Sequence, residues 1–157
     1  MSSRLRLVPR SPGLYTLIVE LCDRFSRVVG SLGVVELDKG LYVYVGSARG
    51  PGGLYARIRR HASREKRVRW HIDYITTWGS SRVLAAVYAV TSSDLEPRLA
   101  RELEALGLEP AVRGFGCSDK PSFTHLFRCV EPLELCVDAC VEAMRRLGLE
   151  PRAVALL

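Results

Sequence analysis

Residues 41–47, with the sequence LYVYVGS, form the clearest strand pattern in the chain. Tyr42 and Tyr44 alternate with aliphatic residues, so the tyrosines share one face of a pleated strand and the aliphatic side chains share the other. The tripeptide Asp38-Lys39-Gly40 just before this stretch is typical of a hairpin turn. The pattern therefore predicts a strand that is entered from a tight turn.

Strand and helix patterns continue on both sides of this strand. Ser93 and Glu96 have the S-x-x-E spacing of a capping box, which predicts a helix that opens at Ser93 and stops at Gly107. The fold class that we predict is α+β, a small and mostly antiparallel sheet flanked by helices. Further strands are predicted at residues 14–21, 27–29, 34–37, 82–90 and 125–127, and further helices at 54–63, 70–78 and 132–147.

Length and composition favour one globular domain over residues 1–157, because 48 % of the 157 residues are hydrophobic. The longest apolar run, residues 83–90, is far shorter than the ~20 residues that a membrane helix needs. The first residues show no apolar segment typical of a signal peptide, so we expect a cytoplasmic protein without a membrane partner. The chain contains no Asn and no Gln, which favours an organism that grows at high temperature.

Positive charge is concentrated in one part of the chain. Lysine and arginine total 23 against 17 acidic residues, and residues 49–71 hold eight of the bases with a single acid, Glu65. Aromatic side chains such as Trp70 lie among them, a mixture that indicates either a solvated surface or a phosphate-binding one. The candidate nucleic-acid-binding residues are Arg49, Arg59, Arg60, Arg64, Lys66, Arg67, Arg69 and His71, and Arg57 belongs to the same segment.

The five cysteines contain no Cys-x-x-Cys pair, so a zinc-ribbon pattern is absent. Cys136 and Cys140 are four residues apart and lie on one face of a predicted helix. Buried free thiols and a disulfide are both open at this point, since intracellular proteins of hyperthermophiles do carry disulfides.

Two short motifs, Gly13-Leu14-Tyr15 and Tyr44-Val45-Gly46, resemble those of the GIY-YIG nucleases. Gly13-Leu14-Tyr15 is similar to the GIY element, and Tyr44-Val45-Gly46 is similar to the YIG element. Gly-Leu-Tyr occurs three times in this chain, so the tripeptide alone is not specific. The ordered set is more specific, because the two motif strands are followed by Ser47, by a helix with Arg57 and His61, and by a later helix with Glu96.

Longer strings resemble one group within this superfamily. The strings YVYVGSA (42–48), RWHIDY (69–74) and GFGCSD with THLF (114–127) are similar to an uncharacterised GIY-YIG-like group of archaea and bacteria, sometimes fused to endonuclease-III-type DNA glycosylases. The resemblance implies a GIY-YIG-like core with a C-terminal helix. Residues 16–43 separate the two motifs, where about ten are usual in the family, and we interpret the excess as an inserted hairpin.

The resemblance also implies a metal-dependent endonuclease that hydrolyses phosphodiester bonds, with DNA favoured over RNA as the substrate. Glu96 matches the ligand of the family's divalent metal, Mg²⁺ or Mn²⁺, and this type of ion prefers oxygen ligands. Arg57 would hold the phosphate through its fork of donors. Tyr15 and Tyr44 would line the site, and one phenol would orient or deprotonate the attacking water.

Several roles have alternatives. His61 is a second candidate for the proton acceptor, and His125 matches a residue of the closer group that would bind phosphate or relay a proton. His71 is a weaker candidate for such a role. Glu102 lies at the opposite edge of the same leucine stripe as Glu96 and is the alternative metal ligand. Asp73 and Tyr74 are interpreted as structural.

One departure from the family leaves other functions open. Many GIY-YIG nucleases use a late Asn, and this chain has none, so His125 or Ser118 would have to replace it. The alternatives are a catalytically inactive nucleic-acid-binding module and a partner domain of a DNA repair protein. The partner domain would show an exposed apolar patch on the helix at 132–147. A homodimer is also open, because cutting both strands of a duplex often needs two copies.

Overall fold

The computed structural model describes residues 3–117, 123–129 and 132–157. In these ranges the helices are α1 (Gly53–Ala62), α2 (His71–Thr76), α3 (Glu96–Ala105) and α4 (Leu133–Arg146), and short 3-10 turns cover Ser3–Leu7 and Gly30–Leu32. The strands are β1 (Gly13–Leu21), β2 (Phe25–Val28), β3 (Val34–Leu37), β4 (Gly40–Ala48), β5 (Ser81–Val90), β6 (Glu109–Pro110), β7 (Leu126–Cys129) and β8 (Arg152–Ala155).

Six of these strands form one sheet in the order β6-β7-β4-β1-β5-β8, and each neighbouring pair is antiparallel. Strands β2 and β3 pair with each other as a separate antiparallel hairpin between β1 and β4. The predicted α+β class with a mostly antiparallel sheet is therefore confirmed. The hairpin also accounts for the long separation between the two motif strands.

Alternation along the strands produces two apolar layers. Tyr15 and Tyr44 belong to the layer that also contains residues of α1, α2 and the hairpin. Leu14 and Val43 point to the other face and pack with residues of α3 and α4. Because successive side chains of a strand face opposite ways, each motif strand contributes to both layers. The sheet is thus covered by helices on both sides, with the tyrosines under α1 and α2.

The predicted capping box at the start of α3 is wrong. The helix begins at Glu96, its N-cap is Leu95, and no side chain caps it. The backbone N–H of Ser93 is hydrogen-bonded to Thr91 Oγ1 instead, 3.1 Å away. Pro97 occupies the first turn, where a residue without an N–H group is tolerated because that group has no partner inside the helix.

Of the two states left open for Cys136 and Cys140, each residue adopts a different one. A disulfide joins Cys129, at the end of β7, to Cys136 in the first turns of α4. Cys140, the other member of the predicted helix pair, is a buried free thiol, and burial raises its pKa to about 12. The cross-link ties β7 to α4, which packs on the sheet.

Helix α4 buries one face and exposes little apolar surface on the other. Cys136, Cys140, Ala143 and Met144 are buried, and Leu135 is the large apolar side chain that is exposed on this helix. A single exposed leucine does not form the apolar patch that we predicted here for a protein partner. Within the three described ranges, no helix has both the length and the apolar character needed to cross a membrane.

Candidate active site

A cavity of about 600 Å³ lies where β4 ends and α1 begins. A larger cavity of about 760 Å³ lies at the far end of β1 and contains none of the predicted site residues. The smaller cavity brings together seven of the fourteen predicted ones: Tyr15, Tyr44, Arg49, Arg57, Arg69, His71 and Glu96. Its wall also contains Gly46, Ser47, Trp70 and Gly116, all of which lie in or beside the strings that carry the family resemblance.

Two glycines make room for the two tyrosines. Gly46 lies directly opposite Tyr15 in the register between β4 and β1, and a Cβ atom at Gly46 would overlap the phenol, 2.5 Å from its Cζ atom. Gly116 approaches Tyr44 in the same way, since a Cβ there would lie 2.9 Å from Tyr44 Cε1. The backbone φ of Gly116 is +71°, a conformation that favours glycine. Both rings are therefore packed directly against the main chain.

Tyr15 is hydrogen-bonded to a buried histidine behind it. The Tyr15 hydroxyl lies 2.7 Å from His61 Nε2, and each side chain is only 1 % exposed. Burial raises the pKa of Tyr15, although the nearby Arg57 guanidinium opposes this, and burial lowers the pKa of His61 to about 3. Both groups are thus neutral at pH 7. His61 does not line the cavity, so its contact with the cavity is made through Tyr15.

Tyr44 is neutral for a similar reason. Burial raises its pKa well above the usual value, and the neighbouring Tyr15 and Glu96 raise it further. Both phenols in the cavity can therefore donate and accept hydrogen bonds. Proton abstraction by either of them requires additional positive charge, such as that of a divalent metal ion.

Glu96 reaches the cavity from the first position of α3 and is 8 % exposed. The hydroxyl of Ser47, at the end of β4, donates a short hydrogen bond to Glu96 Oε1. The other carboxylate oxygen lies 3.6 Å from Nδ1 of His125, a buried side chain next to strand β7. Because Ser47 and His125 contact different oxygens, the carboxylate is held in a fixed orientation at the cavity wall.

Arg57 extends from α1 toward the end of β4. Its Nη1 atom donates to the carbonyl oxygen of Ser47 at 3.1 Å. Its guanidinium carbon also lies 4.4 Å from the centre of the Trp70 ring, within the range of a cation–π interaction. The hydrogen bond and the ring contact together fix the position of Arg57 beside Glu96, and sequence reasoning did not identify Trp70 as the residue that does this.

Trp70 is itself held by a buried ion pair. Asp73 is fully buried and accepts two hydrogen bonds from Arg60, at 2.9 and 2.8 Å, and two from the backbone N–H groups of Arg69 and Trp70. Burial alone would raise the pKa of Asp73, but these hydrogen bonds lower it. The Arg60 guanidinium also lies 4.3 Å from the Trp70 ring centre. The structural role predicted for Asp73 agrees with these contacts.

Three cations of the basic segment make hydrogen bonds inside the protein. Arg60 pairs with Asp73, Arg64 donates to the carbonyl oxygens of Trp78 and Ser81, and Lys66 donates to the carbonyl oxygens at the end of α1. Predicting these three as nucleic-acid-binding residues did not allow for these internal contacts. Arg64 is nevertheless exposed, as are Arg49 and Arg69 at the cavity and Arg59 and Arg67. Arg49 also donates to the carbonyl oxygen of Ser92 at 3.2 Å.

One carboxylate lines the cavity, and this limits how a metal could bind. No group of three or more His, Cys, Asp and Glu side chains suited to a metal occurs in the described ranges. Mg²⁺ keeps several waters and takes one or two carboxylates together with substrate phosphates, so Glu96 fits such an ion when a phosphate is also bound. Glu102, the alternative ligand, does not line the cavity and lies 3.6 Å from Arg146 of α4.

The replacements suggested for the late Asn can be placed only in part. His125 is close to Glu96, as described above. Ser118 lies outside the described residues. Phe115 and Gly116, in the loop just before Ser118, belong to a string that resembles the family. Both residues pack against Tyr44.

Comparison with known proteins identifies the family of the chain. Searches of curated proteins and of solved structures find no match. The sequence model of a family described as "Domain of unknown function DUF123" matches residues 14–148, which include both motif strands, Arg57, Glu96 and His125. The chain therefore belongs to the DUF123 family, a GIY-YIG-like family.

Proposed function

We propose that this protein is a metal-dependent endonuclease that hydrolyses phosphodiester bonds of DNA. The observation that carries the proposal is the placement of the Glu96 carboxylate, the Arg57 guanidinium and the phenols of Tyr15 and Tyr44 on the wall of one cavity. These groups come from four different elements of the chain. Their meeting at one place matches the set of functions that phosphodiester hydrolysis needs.

The charges of the cavity suit an anionic substrate. Three arginines, Arg49, Arg57 and Arg69, line it together with one carboxylate. A phosphodiester is a stable anion, and Arg57 can donate to two of its oxygens through its planar fork. Arg49 and Arg69 are exposed and would contact the backbone of a nucleic acid beyond the scissile phosphate.

Glu96 would hold the divalent ion, Mg²⁺ or Mn²⁺, with Ser47 orienting its carboxylate. When bound, the ion supplies positive charge that stabilises the negative charge developing on the phosphate and on the leaving oxygen. The phenols of Tyr15 and Tyr44 would orient the attacking water by hydrogen bonds. Tyr15 would do so with its hydroxyl held by His61 at 2.7 Å.

The substrate class follows from the family resemblance. The closer group includes chains fused to DNA glycosylases, which favours DNA over RNA and a branched or damaged structure over a regular duplex. The inserted hairpin borders the same region, because a Cβ at Gly30 would lie 3.8 Å from the Tyr74 hydroxyl and 4.0 Å from His71 Cδ2. An element in this place would limit which substrate shapes reach the cavity.

A second candidate function is a catalytically inactive nucleic-acid-binding module. It is favoured by the raised pKa values of both phenols and by the lack of Asn in the whole chain. Such a module would still bind nucleic acid through the exposed arginines, but it would not activate a water molecule for hydrolysis. It would bind DNA with a steep dependence on salt and without any need for a metal.

The experiment that separates the two is a cleavage assay on labelled linear, nicked and branched DNA, with matched RNA substrates. Each reaction contains Mg²⁺, Mn²⁺ or EDTA and is run at high temperature. The proteins are wild type, Glu96→Gln and the matched control Glu102→Gln, which changes a glutamate of the same helix outside the cavity. We expect metal-dependent cleavage by wild type and by Glu102→Gln, and binding without cleavage by Glu96→Gln.

Two other results would contradict this expectation. Cleavage by Glu96→Gln at the wild-type rate would remove Glu96 from the mechanism. Salt-sensitive binding without cleavage by any of the three proteins would replace the nuclease with the binding module.

A further inference from the structure

We infer that His71 is a substrate-binding residue of this cavity, a neutral imidazole whose Nε2–H group donates a hydrogen bond to a phosphate oxygen. The inference rests on the proposed function for the identity of the substrate. It rests on the structure for the tautomer of the ring and for the atom that faces the cavity.

The tautomer follows from one hydrogen bond. The backbone N–H of Gly116 donates to Nδ1 of His71 at 2.8 Å. A backbone amide can only donate, so Nδ1 must offer a lone pair, and the proton of a neutral imidazole then sits on Nε2. A doubly protonated ring would turn an N–H group toward the N–H group of Gly116. The contact therefore selects a neutral ring that carries its proton on Nε2.

The ring is held in one orientation. Phe115 lies 5.5 Å from it, centroid to centroid, and Gly116 contacts its Nδ1 edge. The loop that carries both residues is packed on Tyr44, as the close approach of Gly116 to that ring shows. The loop therefore fixes the tautomer of His71 and the position of its ring at the same time.

Nε2 is the ring atom left for a ligand. His71 lines the cavity and is partly exposed, and its Nε2 atom has no hydrogen-bond partner among the described residues. Because it is not buried, this nitrogen is accessible to solvent. A fixed, solvent-accessible donor on the wall of a cavity is ready to exchange a water molecule for a ligand oxygen.

The chemistry of the cavity identifies that oxygen. Arg49, Arg57 and Arg69 favour an anion, and a phosphate oxygen is a pure acceptor that fits an N–H donor. Arginines supply charge, whereas a neutral imidazole supplies direction without adding another cation. Because its lone pair is used by Gly116, His71 cannot act as the general base in this state, which separates its role from that of Tyr15 and His61.

The first test measures the tautomer in the unliganded protein at neutral pH. The chain has three histidines, so long-range ¹H–¹⁵N spectra of protein labelled with [¹⁵N]histidine contain three ring patterns. The pattern that disappears in His71→Gln belongs to His71. We expect a protonated Nε2 and an unprotonated Nδ1. A protonated Nδ1, alone or together with Nε2, would overturn the inference, and this result does not depend on nuclease activity.

The second test measures binding of a labelled three-way DNA junction in EDTA, so that no cleavage interferes. Asn places an oxygen where Nδ1 was and keeps the acceptor for Gly116, but it lacks the donor at Nε2. Gln places its amide nitrogen near the position of Nε2. We expect the junction to bind His71→Asn about tenfold more weakly than wild type, with most of the affinity restored in His71→Gln.

Inorganic phosphate serves as the competitor in the same assay. We expect phosphate to displace the junction from wild type more effectively than from His71→Asn. Equal binding of the junction by His71→Asn and wild type, with both proteins folded by circular dichroism, would overturn the role of His71 and leave the proposed function intact. A wild-type protein that binds no junction, linear DNA or RNA would contradict the proposed function and this role together.

Discussion

Tyr15 and Gly46 face each other across the pair of strands β1 and β4, and the phenol of Tyr15 occupies the space that a side chain at position 46 would take. The two residues belong to two separate sequence motifs that are 31 positions apart (46 minus 15). Their contact explains why the second motif needs a glycine. Any larger residue would push Tyr15 away from His61 and from the cavity.

Substituting Gly46 with alanine tests this relationship. In Gly46→Ala the new methyl group overlaps the phenol, and Tyr15 cannot simply turn aside because it is 1 % exposed. We expect a loss of about 1–3 kcal/mol in the free energy of unfolding, typical of an overpacked core. We also expect the hydrogen bond to His61 to break. Chemical denaturation measures the first effect. A slower cleavage of the substrate that the proposed assay identifies would report the second.

Gly79→Ala is the matched control for this substitution. Gly79 is exposed, and a Cβ built there meets no atom within 4 Å. The control should unfold within about 0.5 kcal/mol of wild type, because surface substitutions away from special features have small effects. If Gly46→Ala is as stable and as active as this control, Tyr15 does not depend on the glycine in the way described.

The features that could be predicted from the sequence are those governed by local patterns. Strand alternation placed Tyr42 and Tyr44 on one face, and the structure has both in the same apolar layer. The inserted hairpin follows from two short strand patterns and a turn, and it is present as β2 and β3. Such features depend on neighbours in sequence, and the period of two in a strand makes them visible.

The features that could not be predicted depend on distant contacts. Cys129 pairs with Cys136 because a strand ends where a helix begins, whereas the sequence indicates only that Cys136 and Cys140 share one face of a helix. Arg60 resembles its basic neighbours in the sequence, yet a buried carboxylate thirteen residues away determines its role. Strand β6 has only two residues, too few for an alternating pattern, and β8 pairs with β5, which is remote in the chain.

The buried His61 predicts that the protein loses stability in mild acid. Its folded pKa is about 3, below the value of 6.5 expected in the unfolded chain. Between these values the unfolded state binds a proton that the folded state does not, so stability is full above pH ~6.5 and falls as the pH drops toward 3. The expected loss from this residue is about 2 kcal/mol between pH 7.5 and pH 5. Urea denaturation at the two pH values measures it.

A substitution separates this effect from the titration of other groups. His61→Leu removes the titrating ring, so its free energy of unfolding should change by about 2 kcal/mol less between the two pH values than that of wild type. It will be less stable than wild type at pH 7.5, because the Tyr15 hydroxyl loses its partner. An equal pH dependence in both proteins would show that His61 titrates with the same pKa in the folded and the unfolded chain.

Trp70 provides the last prediction, since its ring contacts the guanidinium of Arg57 at 4.4 Å and that of Arg60 at 4.3 Å. If the ring positions Arg57 for the phosphate, Trp70→Leu should slow cleavage by about tenfold at saturating substrate, within the range of a partly desolvated cation–π contact. Trp70→Phe keeps an aromatic face and should recover part of the rate.

The matched control for Trp70 is Trp78→Leu, which removes the only other tryptophan of the chain. Trp78 packs edge-on against Phe25, 5.2 Å away, and does not line the cavity. Its loss should lower stability and leave the rate per folded molecule unchanged, because it does not contact Arg57 or Glu96. Equal rates for Trp70→Leu and Trp70→Phe would mean that the ring only fills space, and Arg57 would then be positioned by its hydrogen bond to Ser47 alone.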